Sequence, residues 1–68
     1  MTYSEIKKLT ADKKFPLTAK NENGENVIIE IGYVEGEMIF TVTTAQTNGW
    51  LRVNTYWPDG TVEETYKK

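Results

Sequence analysis

The stretch NVIIEIGYVEGEMIFTVTTA, residues 26–45, decides the fold. Val27, Ile29, Ile31 and Tyr33 alternate with other residues on one side of Glu35-Gly36, and Met38, Phe40 and Val42 alternate on the other. A period of two marks a strand with one buried face. Glu35-Gly36 suits a two-residue reversal with positive φ at both positions, which glycine adopts freely and glutamate only with strain. Closing the chain there pairs Ile31 with Phe40 and Ile29 with Val42, so both strands offer their apolar residues to the same side.

Working outward, three more turn signals punctuate the chain. Asn21-Glu22-Asn23-Gly24-Glu25 and Trp57-Pro58-Asp59-Gly60-Thr61 each suit a three-residue hairpin loop with glycine in the left-handed position. Asn48-Gly49 marks the remaining reversal, read as an even loop of four residues that pairs Val42 with Val53 and Met38 with Trp57. Under these registers one face collects Phe15, Leu17, Ala19, Val27, Ile29, Ile31, Tyr33, Met38, Phe40, Val42, Leu51, Val53 and Trp57. The strands expected are residues 15–21, 26–34, 38–45, 50–57 and 61–67.

Ahead of them, Thr2-Tyr3-Ser4-Glu5 fits a capping box. Tyr3, Ile6 and Leu9 then form an apolar stripe, and a helix over residues 3–13 is expected to stop before Pro16. The fold class implied is α+β: one short N-terminal helix packed on one face of a five-strand antiparallel meander within a single domain. A sheet curled toward a small partial barrel is the variant.

Composition excludes several kinds of chemistry. The 68 residues include no cysteine and no histidine, which removes disulfides, thiolate metal sites, cysteine nucleophiles and the commonest general base. No Gly-rich phosphate loop occurs, and the five glycines are isolated. Glu30 and Glu64, the one pair of carboxylates that the registers bring into a row, stand three strands apart, roughly 14 Å at the usual strand spacing. No catalytic residue, cofactor or metal ligand is therefore assigned, and an enzyme is not expected. Apolar runs are too short to span a bilayer, and the N-terminus has no apolar leader segment. A cytoplasmic protein is the default expectation.

The net charge of −2 is unevenly distributed. Lys7, Lys8, Lys13, Lys14 and Lys20 outweigh Glu5 and Asp12 in the first 20 residues, while the remainder carries eight carboxylates against Arg52, Lys67 and Lys68. The acidic remainder disfavours a nucleic-acid backbone as partner.

A function, on this reading, belongs to the sheet face away from the helix. The registers place Ile39, Tyr56 and Val62 in one row there, and Arg52 beside Tyr66 in another, with Trp50 beyond. Trp50, Arg52, Tyr56, Tyr66 and Ile39 form the candidate binding face, aromatic rings around the only arginine of the chain. The expectation is a small non-catalytic binding domain that takes a protein partner, itself or another, on this face or on a sheet edge. The alternative is a nucleic-acid or acidic partner held by Lys7, Lys8, Lys13 and Lys14.

Overall fold

Tight turns join each strand to the next, and the sheet is a simple meander. In the computed structural model, which describes Met1–Lys68, helix α1 (Tyr3–Leu9) precedes β1 (Leu17–Lys20), β2 (Asn26–Val34), β3 (Glu37–Ala45), β4 (Leu51–Tyr56) and β5 (Val62–Lys67). The strands lie in chain order, each antiparallel to its neighbour, and β5 does not return to β1 to close a barrel. The α+β class expected from the sequence is the class observed.

Helix α1 begins as its capping residues dictate. The Thr2 hydroxyl accepts from the Glu5 backbone N–H at 3.2 Å, satisfying one of the amides left open at a helix start. The helix is shorter than the expected residues 3–13, because Thr10 ends it. Its hydroxyl donates to the Ile6 carbonyl at 2.6 Å, and the Lys13 amide then closes a turn onto Thr10. Thr10 is buried and Leu9 is 65% exposed, so the stripe facing the sheet is Tyr3, Ile6 and Thr10 rather than Tyr3, Ile6 and Leu9. The residue spacing of three and four is kept. β1 is shortened as well, starting at Leu17, because the chain leaves the sheet edge at Phe15-Pro16.

The first two registers agree with the sequence pattern: Leu17 faces Ile29, and Ile31 faces Phe40. The third differs by one residue. Thr43, not Val42, faces Val53, and Phe40 faces Tyr56. Five residues separate β3 from β4, and the Gln46 N–H on the Trp50 carbonyl at 2.9 Å closes three of them, Thr47, Asn48 and Gly49, into the turn. Gly49 sits at φ 88°, and the Asn48 side-chain oxygen accepts from the Trp50 N–H at 3.0 Å. An odd loop in place of an even one turns every side chain of β4 over, and β5, paired to it through Tyr56–Val62 and Arg52–Tyr66, turns with it.

Opposed residues of an antiparallel pair share a face, so these registers define both sides of the sheet. The helix side carries Leu17, Val27, Ile29, Ile31, Met38, Phe40 and Val42 as expected, continued by Tyr56, Asn54 and Arg52. Leu51 and Val53, expected in the core, lie on the opposite side, and Trp57 continues their alternation. The packed centre is small: Phe40 and Ile6 are each 1% exposed. Around them the Tyr3 ring stands 5.1 Å from Phe40 and the Phe15 ring 6.2 Å from it. The Tyr3 hydroxyl reaches across to donate to the Met38 carbonyl at 2.8 Å, fixing the helix on the sheet.

Two outcomes follow from this arrangement. Phe40→Ala removes the centre of the packing, a change that costs about 3–5 kcal/mol in a core. That is comparable with the whole stability of so small a domain. In urea unfolding it should leave little or no folded population, while Thr41→Ala, on the other face, keeps a near-native midpoint. Glu35 is the one non-glycine residue at positive φ, at 50°. Glu35→Asn, which suits that conformation before Gly36, should raise stability by about 0.5–1 kcal/mol in the same assay.

Candidate interaction surfaces

The face opposite α1 has nothing of the chain over it. Its rows run Gly32–Ile39, then Glu30–Thr41–Thr55–Glu63, then Thr18–Ile28–Thr43–Val53–Thr65, then Lys20–Asn26–Ala45–Leu51–Lys67. Ile39 leans across Gly32, where an added Cβ would meet its Cγ1 at 3.5 Å. Ile28 and Leu51 are exposed by 40% and 38%. Trp57 is half-buried at the end of this face, its indole N–H donating to Glu63. The surface is therefore apolar in patches, with threonine between them and carboxylates at Glu30 and Glu63.

The residues expected to make a binding face are divided by the register. Ile39 lies on this open side, whereas Arg52, Tyr56 and Tyr66 lie on the helix side, and Trp50, which pairs with Gln46, continues their alternation there. The cause is the odd loop at Asn48-Gly49. Tyr56 is half-buried opposite Phe40, near the helix. The others gather at the far end of the same side, beyond α1. There Arg52 Nε stands 3.8 Å from Glu64 Oε1, and the Tyr66 hydroxyl donates to that oxygen at 3.4 Å. Lys68 Nζ sits 5.2 Å from the centre of the Trp50 ring. Both partners of the ion pair are substantially exposed, so it contributes at most about 1 kcal/mol. Glu30 and Glu64 now occupy opposite faces, and the carboxylate row that the sequence suggested does not form.

The lysines divide too. Lys7 and Lys13 stand at a cleft of about 380 Å³ between the end of α1 and the sheet, with Phe15, Ile31, Met38 and Phe40 as its apolar walls. Lys8 borders a shallower depression with Tyr3, Ser4 and Pro58. Lys14 lies exposed in the segment leading to β1. Asp59 has its carboxyl held below the usual carboxylate range, first by the Thr61 backbone N–H, which donates to it at 2.8 Å; this fixes the β4–β5 turn. No cluster of acidic residues converges as a metal site, and no helix is long and apolar enough to cross a membrane.

No family model matches this chain, and no curated protein or solved structure matches it significantly.

Sequence reasoning places Ile28 on the open side correctly but misses Leu51, Val53 and Trp57 there, although a signal for them is present. Gln46-Thr47-Asn48-Gly49-Trp50 has the same outline as Asn21-Glu22-Asn23-Gly24-Glu25 and Trp57-Pro58-Asp59-Gly60-Thr61, with Asn or Asp third and glycine fourth. All three close identically, first residue N–H to fifth carbonyl, at 2.9–3.1 Å.

Proposed function

We infer that this protein is a non-catalytic interaction domain that binds another protein surface through the open sheet face. The observation that carries this reading is an excess of exposed surface. The folded chain exposes 5008 Å² for a mass of 7.8 kDa. A compact monomer of that mass exposes about 4,400 Å². The difference, about 600 Å², belongs to the whole chain, and on the open face Ile28 and Leu51 contribute to it. Ile28, Ile39, Leu51 and Val53 supply apolar area for contact with another protein, and Trp57 an aromatic anchor of the type enriched at binding hot spots. The enzymatic alternative has less support, since the chain contains neither histidine nor cysteine and Glu30 and Glu64 lie on opposite faces of the sheet.

The reading is tested by the variant Ile28→Lys/Val53→Lys, which places two charges on the open face without touching Phe40 or Ile6. Light scattering gives the mass of the species in solution, and affinity capture from cells gives the proteins retained. The expected result is a folded variant, by circular dichroism, that loses either the self-associated species or a protein retained by the parent chain. If mass and retained proteins are the same for both chains, the open face is not the binding surface.

A further inference from the structure

The sheet has a second opening, in its edge rather than its face. β1 pairs only with Asn26–Ile29 of β2, so the remaining half of β2, Glu30–Val34, has β3 on one side and no strand on the other. The direction of the vacant groups follows from the ladder. Asn21 N–H bonds the Glu25 carbonyl. Alternation then turns the N–H and C=O of Val27, Ile29, Ile31 and Tyr33 toward the β1 side. For Val27 and Ile29 that side is occupied by Ala19 and Leu17. For Ile31 and Tyr33 it is vacant, because the chain has left the edge before Leu17. No backbone bond outside the helix and strands involves either residue. Two donors and two acceptors are thus in line for one more strand segment.

This notch opens beside the cleft under α1. Ile31 belongs to both, and Tyr33, 71% exposed, extends from the notch on the same side of the sheet. The side chains lining the cleft include two cations, Lys7 and Lys13, and no carboxylate. A strand added along Ile31–Tyr33 would alternate its side chains between the two faces. Those on the helix side would meet the apolar walls of the cleft and the two ammonium groups at its rim. The outer edge of β5 is also unpaired, but it carries Glu63, Glu64 and Lys67, a charged and guarded edge with no cavity beside it.

We propose that the β2 edge at Ile31–Tyr33, together with the cleft of Lys7, Lys13, Phe15 and Met38, binds an extended acidic peptide segment by strand addition. Backbone pairing supplies the direction of the segment, and the cleft selects an apolar side chain flanked, two residues either way, by carboxylates. This site is separate from the open sheet face and does not depend on it.

The probe is the capped heptapeptide Thr-Glu-Thr-Leu-Thr-Glu-Thr, with Thr-Lys-Thr-Leu-Thr-Lys-Thr as the charge control and an alternately N-methylated copy as the backbone control. Amide exchange of the free protein is read first by NMR. Ile31 and Tyr33 should exchange far faster than Val27 and Ile29, and protection of all four alike would show the edge already filled and overturn the proposal. On titration, saturable shifts should centre on Lys13, Phe15, Ile31 and Tyr33, and the two open amides should slow by about tenfold or more as they pair. Lys7→Glu/Lys13→Glu should weaken binding about tenfold while leaving the spectrum of the remaining residues native. Equal binding by the lysine peptide or by the N-methylated peptide, shifts centred on β5, or no saturation up to about 1 mM would each overturn it.

Discussion

Whether the loop between β3 and β4 holds an odd or an even number of residues decides which side chains this domain buries and which it presents. Thr47, Asn48 and Gly49 make it odd, with Gly49 at positive φ and the Asn48 side chain bonded to the Trp50 amide. Six residues of β4 and six of β5 inherit their orientation from that one turn. Packing does not enforce the choice strongly. β4 carries Leu51 and Val53 on one side and Tyr56 with Arg52 on the other, so either face could serve as the inner one. The turn chemistry therefore outweighs a nearly balanced hydrophobic pattern.

That balance shapes the rest of the molecule. Turning Tyr56, Asn54 and Arg52 inward leaves the helix side polar beyond Phe40, and the fully packed apolar centre is limited to Phe40 and Ile6. The seven-residue α1 covers the Met38–Phe40 end, held by the Tyr3 hydroxyl on the Met38 carbonyl. Arg52, Glu64 and Tyr66 satisfy one another at the far end. Conversely, Leu51 and Val53 join Ile28 and Ile39 on the open side, where nothing else in the chain can cover them. A domain of this size normally has little stability to spare.

Much of this fold can be read from the amino-acid sequence. The Glu35-Gly36 turn, flanked by two strands with strong alternation, fixes β2 and β3 and their register. The Asn21–Glu25 and Trp57–Thr61 loops do the same at the two ends, and Thr2 with Glu5 marks the helix start. What was not legible depended on competition between similar alternatives. Apolar residues occur at both parities in β4, so alternation could not discriminate an even loop from an odd one at Asn48-Gly49. At the end of α1, Thr10 is a poor guide from composition alone. It displaces Leu9 from the sheet by returning its hydroxyl to the Ile6 carbonyl, which lets a polar residue be buried without loss. The residues expected to share one face divide between the two sides for the first of these reasons, since the aromatic ones follow the face of β4.

The register of β4 is directly observable in solution. In an antiparallel ladder the Hα atoms of non-hydrogen-bonded pairs approach closely enough for strong cross-strand NOEs. With Gln46 bonded to Trp50, those pairs between β3 and β4 are Ala45–Leu51, Thr43–Val53 and Thr41–Thr55. Strong Hα–Hα NOEs at Thr43–Val53 and Thr41–Thr55 are the expected result. An NOE from Val53 to Val42 in their place would put Leu51 and Val53 back in the core and Arg52 on the open face, and would contradict the assignment of both surfaces.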